Sequence, residues 1–430
     1  MSEDLVDNHV DEGVREIIEE GGSDDEEVVI DGEEYVIMDV DEFLEQAEAK
    51  LKEEGGNKEN AVEETEENPE EVEDEAIPEE IVRDSFFSFE KHTDSVLCVA
   101  MNPQRPGQIL TGGQDNRAFL FNANEPEKVI ELTGHNESVC AVCFSPKGNL
   151  CATIDMNGEL KIWKTADGAP VLTIQGPEEP EWLQFHPNGS VILTSGNDFC
   201  VWSWLVTSGE SHPLFCGHTD TVTCAVISSS GKMLVTGSLD NTLKSWLFRT
   251  HSQVTSVKPD THNWHQAGIE CVDLYSQMSL SASGARDGSV RLTNLKTNEI
   301  VASYQHTSAD ENENCSVEAV AFNTKYNWIA SASMNSKVII YDFGTCRIRH
   351  ELQHGGGVIR LVWHPNNIVL ITGCLDGCVY LWDGRTGELL KQLNGHTDML
   401  LDMSVVVDKN KTYISTVSDD KTCQVFRVEI

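Results

Sequence analysis

The stretch Leu370-Ile371-Thr372-Gly373-Cys374-Leu375-Asp376, followed by Val379-Tyr380-Leu381-Trp382-Asp383, decides the fold. It reads as an apolar strand ending in small residues, a turn carrying Asp376, and another apolar strand ending in an aromatic. A short apolar strand behind His354 precedes it. Read outward, the pattern recurs from Ser85 to Ile430, with turn residues at Asp115, Asp155, Asp198, Asp240, Asp287, Asn335, Asp376 and Asp419. The third strands close at Phe121, Trp163, Trp202, Trp246, Leu292, Tyr341, Trp382 and Phe426. The average step of about 43 residues is that of a four-stranded sheet unit. Eight such units fill residues 85–430, which predicts an all-β, eight-bladed propeller.

Gly-His pairs stand at Gly134-His135, Gly217-His218 and Gly395-His396, with single His at His92 and His354. Together with Trp382-Asp383 they make the repeat resemble the Trp-Asp (WD) repeat. The third unit, with Gly176-Pro177-Glu178-Glu179, and the fifth, around Asn263-Trp264-His265, lack a clear Gly-His. A propeller must close or leave sticky edges. The chain supplies the last blade with three strands, 400–407, 412–418 and 422–429. Its outer strand is therefore expected from Ser85–Glu90.

Of 72 acidic and 30 basic residues in the 430, residues 1–84 hold 35 and 5, a net of −30, and the other 346 carry −12. An acidic segment with few aromatics reads as a mostly disordered tail, 1–84, ahead of a propeller at 85–430. Within it, Phe43, Leu44, Ala47 and Leu51 are spaced for a short helix over 41–54, with Asp41 as N-cap. No apolar run reaches the ~18 residues of a membrane helix. Met1-Ser2-Glu3-Asp4 lacks the basic start of a secretion signal, so the thirteen Cys read as free thiols of a cytoplasmic protein, with the nucleus as an alternative location. The acidity argues against direct nucleic-acid binding and for a basic protein partner.

The repeated His and Asp look catalytic, but a blade uses them structurally. His218, Asp240 and Trp246, and likewise Asp376 and Trp382, fit a hydrogen-bonded chain that satisfies buried polar groups. Cys140 and Cys143 lie on one strand, where residues three apart point to opposite faces, so they do not make half a zinc site. There is no P-loop, nucleophile elbow or metal-ligand helix. The sequence predicts no enzyme, metal or cofactor.

Function is expected on the face that gathers the loops entering each innermost strand. These supply Asp94, Glu137, Glu178, Glu179, Asp220, Asp310, Glu311, Glu313 and Asp398, against few cations such as Lys91 and Lys258. Aligning the repeats puts Glu181, Glu270 and Glu318 at one position at the start of the innermost strand. Leu97, Cys140, Thr223, Ile359 and Leu401 occupy it elsewhere. Three carboxylates around one mouth focus negative potential and attract Lys or Arg. Trp182 offers an aromatic surface for such a side chain.

The segments Cys315-Ser316-Val317-Glu318-Ala319-Val320, Ile340-Tyr341-Asp342, Leu381-Trp382-Asp383-Gly384-Arg385-Thr386-Gly387 and Gly395-His396-Thr397 resemble the angio-associated migratory cell protein family. So do His92-Thr93-Asp94-Ser95-Val96, Thr111-Gly112-Gly113-Gln114-Asp115 and the acidic tail. The resemblance implies an eight-bladed propeller. Through the fungal members it implies a dedicated chaperone that holds the basic N-terminal segment of a newly made large-subunit ribosomal protein on its acidic face. Carried over by position, that role implies Glu137, Glu318 and Asp419 as contacts, with the chain a monomer. Two rival readings remain. Trp382-Asp383-Gly384-Arg385 fits the Trp-Asp-x-Arg box of cullin-RING ligase receptors, with Arg385 on the adaptor. An acidic tail and propeller also suit a histone-binding protein or general scaffold.

Overall fold

The structure, a computed structural model, describes residues 26–30, 33–37, 83–258, 263–307, 314–323 and 325–430. The chain divides into two units, Met1–Ile77 and Pro78–Ile430. In the first, Glu26–Ile30 and Glu33–Ile37 pair as an antiparallel hairpin. The sequence between them is Asp31-Gly32, a hairpin signal within the acidic tail. The helix expected over 41–54 lies outside the described residues. Asp84, assigned to the tail from sequence, belongs to the second unit: its N–H donates to the carbonyl of Asn394 (2.8 Å).

The second unit is eight four-stranded antiparallel sheets, all β among the described residues. Blade 1 runs Val96–Met101, Gln108–Gly113, Ala118–Asn122 and Glu125–Leu132. Blade 4 runs Cys224–Ile227, Met233–Gly237, Leu243–Leu247 and Ser252–Val257. Blade 8 takes Leu400–Asp408, Lys411–Ser418 and Cys423–Glu429 from the C-terminus and Phe87–Phe89 as its outer strand. That last pairing is antiparallel, Phe87 opposite Val425 and Phe89 opposite Cys423. Phe89 stacks on Phe121 of blade 1 with centroids 4.1 Å apart, so the closing strand also cements the next blade.

Second strands are buried along nearly their whole length and outer strands are largely exposed, as in Val369–Cys374 against Leu389–Leu393. This accounts for the small residues that end the second strands. A Cβ on Gly112, Gly237 or Gly284 would sit 2.5–2.6 Å from Val139, Ile269 or Val317 of the following blade. Blades approach too closely there for any side chain.

Buried polar chains brace the blades. In blade 4 Trp246 Nε1 donates to Thr236 Oγ1 (3.0 Å), Thr236 lies 2.7 Å from His218 Nε2, and His218 Nδ1 lies 3.0 Å from Asp240. One donor direction, Trp to Thr to His to Asp, fits a neutral imidazole protonated on Nδ1. Burial lowers the His218 pKa, and His218 and Thr242 hold Asp240 well below the carboxylate range despite its own burial.

Three positions differ from the sequence register. Asp155 ends its strand, in Gly113's place; Asn157 occupies the turn, although Asp155 still reaches His135 Nδ1 (3.0 Å). In blade 3 the residue equivalent to Trp246 is the buried Trp204, ten after Thr194, not Trp202, whose indole donates to Asp198 (2.6 Å). In blade 8 the partner of His396 is Asp420 (2.9 Å), not Asp419. Asp376 is a fourth correction. It accepts from Tyr380 Oη, while His354 Nε2 accepts from Trp382 (3.1 Å) and Nδ1 faces the Leu352 carbonyl (3.2 Å). A tyrosine two residues before the tryptophan has taken the carboxylate. Blade 5 gains what the sequence left unclear, since His265 holds Ser283 (2.7 Å) and reaches Asp287 through Ser289.

Candidate protein-binding face

The loops entering the innermost strands and the turns between second and third strands share one face by topology, because strands alternate direction within each sheet. The first carboxylate layer on this face sits two residues after four of the blade histidines, His92, His135, His218 and His396: Asp94, Glu137, Asp220 and Asp398. Each bonds the N–H of the residue that follows, as in Asp220 to Thr221 (2.8 Å) and Asp398 to Met399 (2.8 Å). These short bonds fix the loops. In the blade 3 loop Glu178 and Glu179 are exposed, and Glu179 N donates to the carbonyl of Met156 (2.9 Å). Asp310, Glu311 and Glu313 lie outside the described residues.

The second layer is nearer the channel. In blades 5 and 6 the register slips between Ile269 and Cys271 and between Val317 and Ala319. Glu270 and Glu318 are thus the extra residues of β-bulges, and a bulge re-aims its side chain. Leu97, Cys140, Ile359 and Leu401 are bulged in the same way. Glu181 precedes Leu183–Phe185 at the matching place in blade 3. Two of the glutamates sense a neighbouring one. Burial raises the pKa of Glu181, and Glu270 adds to the rise; burial raises Glu270, and Glu318 adds to it. Glu270 and Glu318 line a hollow of about 440 Å³ at the mouth, with Met334, Ile359 and Leu375 as its apolar wall.

Sequence reasoning missed one opposing charge. Arg286, in the turn before Asp287, pairs with Glu270, so this carboxylate is partly neutralised. The signal was present: in the residue before each turn Asp or Asn, Arg286 is the one cation in a set of Gln114, Met156, Asn197, Leu239, Met334, Leu375 and Asp419. Below the mouth Arg360 donates to Asp402 (2.7 Å), another missed pair. Asp419, freed of the tetrad, accepts from Ser95 Oγ across the blade 8–blade 1 seam. Trp182 is half-buried against the apolar cluster shared by blades 3 and 4, and its indole N–H donates to the Val222 carbonyl (3.1 Å). Its ring therefore packs between blades rather than standing free as a cation platform.

The remaining chemistry-bearing groups are engaged structurally. His135, Asp155 and Glu159 lie close enough for a shared cation, yet His135 and Asp155 bond each other and Glu159 is paired with Lys161 (2.7 Å). Cys200 and Cys216, directly opposite on neighbouring strands with Cα atoms 4.6 Å apart, are joined as a disulfide, which corrects the expectation of thirteen free thiols; the other eleven are free. Arg385 is on the opposite face, 3.6 Å from the Asp383 carboxylate.

Comparison with known proteins agrees with this geometry. The WD domain, G-beta repeat pattern matches residues 83–122, 126–164, 209–246, 303–342, 346–383 and 387–427, leaving the repeats of blades 3 and 5 unmatched. The human angio-associated migratory cell protein is 32% identical over 355 residues, 80% of each chain. The ribosome assembly protein SQT1 of Saccharomyces cerevisiae is 26% identical, over 83% of this chain and 89% of that protein. The crystal structure of Chaetomium thermophilum Sqt1 bound to the N-terminus of ribosomal protein L10 shares the fold, with a TM-score of 0.73, 21% identity, and coverage of 80% of this chain and all of that one. The chain is a WD-repeat propeller and belongs to the angio-associated migratory cell protein family.

Proposed function

We propose that this protein is a chaperone of ribosome assembly that holds the basic N-terminal segment of a large-subunit ribosomal protein, of the L10 type, on its acidic face. The observation that carries the reading is the cluster Glu181, Glu270 and Glu318 at one mouth, where burial first and then a neighbouring glutamate raise the pKa of Glu181 and of Glu270. Crowded, half-desolvated carboxylates are costly for the free protein and are relieved by an arriving cation. The apolar wall of Met334, Ile359 and Leu375 suits the methylene stem of a Lys or Arg whose head reaches Glu318. The likeness to a protein solved with the L10 N-terminus supports the same partner class. A newly made basic segment would otherwise bind RNA without selectivity. Masked by carboxylates, it stays soluble and associates at a steered rate that falls with salt.

Fluorescence anisotropy of a labelled L10 N-terminal peptide tests this. The intact protein is expected to bind it with an affinity that drops steeply between 50 and 300 mM salt, on the order of tenfold or more. Glu137→Lys with Glu318→Lys is expected to weaken binding by about a hundredfold, two charge reversals at 1–2 kcal/mol each. Unchanged binding in the double variant would remove the face from the argument.

A further inference from the structure

The face away from the mouth is mixed in charge: its third-to-outer turns hold acids such as Asp167 and Glu210, while its other turns are cationic. Its turns join innermost to second strands and third to outer strands. Among the described residues the first set carries Arg105, Lys147, Lys232, Lys325 and Lys409 and no Asp or Glu, in a chain of net charge −42. Between blades 3 and 4 this face opens into a hollow of about 620 Å³ whose lining contains no carboxylate. Volumes of ~300–1,000 Å³ are those of ligand and side-chain pockets.

The walls are apolar and the rim is cationic. Leu205, Leu247 and Phe248 line the hollow, and Leu247 keeps 44% of its surface exposed. Phe248 is fixed against His186, centroids 4.5 Å apart, so the aromatic wall is built in advance. Lys232 and Arg249 stand at the edge, and neither is ion-paired among the described residues. His212 also lines the hollow, stacked on His251, and its Nε2 is buried with no hydrogen-bond partner among the described residues. An exposed apolar side chain and two cations without ion-pair partners among the described residues converge on one cavity.

We infer that this hollow is a second docking site, for a protein segment that carries one large apolar side chain flanked by carboxylates. The apolar residue fills the cavity against Leu247 and Phe248; the carboxylates meet the exposed Lys232 and Arg249. A nucleotide base fits less well, because its polar edges would be buried against walls with few donors or acceptors. The site is separate from the acidic mouth, on the other face of the wheel. It would let the protein hold a basic segment on one face while an acidic partner is engaged on the other.

The test uses the full chain at 150 mM salt, where long-range repulsion by the acidic residues is screened beyond ~8 Å. The probes are four labelled nine-residue peptides, all Asp/Glu except for a central Leu, Phe, Trp or Met, together with a central-Ser control and an oligouridylate. Binding of at least one apolar-centred peptide is expected, tenfold or more above the Ser control. It should fall at least tenfold in Leu247→Asp and in Lys232→Glu. Both positions are exposed, so the melting temperature and L10-peptide binding of these variants should match the parent. No binding by any apolar-centred peptide, or binding that ignores both substitutions, overturns the inference. Oligouridylate binding that is lost in Lys232→Glu, with the peptides inert, overturns it in favour of nucleic acid.

Discussion

Carboxylates occupy two regions of this propeller and behave in opposite ways. Inside the blades Asp115, Asp240 and Asp420 pay for their own burial with imidazole and backbone N–H partners, to which Asp240 and Asp420 add a threonine hydroxyl, and their pKa values fall, Asp420 to about 2. At the mouth Glu181 and Glu270 are raised, by burial first and then by neighbouring glutamates, with Arg286 easing both in part. The same functional group is a brace in one place and a poised ligand site in the other. What separates them is whether the fold supplies the partner or leaves that to another molecule.

Asp419 and Asp420 allow the sharpest break of this comparison, since one residue separates the two roles. Asp420→Ala removes the carboxylate partner of His396 Nδ1, the Thr422 hydroxyl and the Thr397 N–H, a buried network worth about 3 kcal/mol. Asp419→Ala removes one bond from Ser95 at the seam and is expected to cost under about 1 kcal/mol. Denaturant titration of both variants checks the contrast. Equal losses would mean that the tetrad carboxylate is not the brace.

That pair also shows what could and could not be read from sequence. The period, the blade count and the closing strand were legible, because hydrophobic alternation and turn residues repeat over many units and average out local error. Registers within single blades were not. Asp419 and Asp420 are both acids, Trp202 and Trp204 both tryptophans, and only the pairing of Ile192 with Trp204 decides between them. Asp376 looked like its counterparts until Tyr380 claimed it. At the mouth, the alignment located Glu181, Glu270 and Glu318, but nothing in it announced the bulges that aim Glu270 and Glu318, nor the Arg286 ion pair. Such features depend on what faces a residue across a strand, which one sequence does not state.

Acid should separate the regions next. His306 and His354, pushed down to about 4 by burial, stay neutral in the fold while the unfolded chain takes up protons near 6.5. Their contribution is present above pH 6.5 and is lost as pH falls toward 4; the lowered aspartates lose theirs only further down. At the mouth the sign concerns binding. Glu181 and Glu270, raised above the ordinary 4.5, take up protons early and release a cationic segment while the blades still stand. Anisotropy of the L10 peptide and thermal melts, both followed from pH 7.5 to 4, should show release at higher pH than collapse. Coincident transitions would argue that one event drives both.

The smallest effect refines the contrast most. Glu181 is exposed, so the cost of its charge is modest, yet burial of part of the carboxyl and the charge of Glu270 both oppose ionisation. Glu181→Gln keeps the shape and removes that opposition. It is expected to raise stability by about 0.5 kcal/mol, a melting increase of under about 1 °C for a domain of this size. The same substitution should weaken the L10 peptide about threefold. A gain in stability coupled to a loss in binding is the signature of a site held unpartnered for a ligand. Asp420→Ala, by contrast, lowers stability and should leave binding per folded molecule unchanged, because a carboxylate that already has its partners has none to offer.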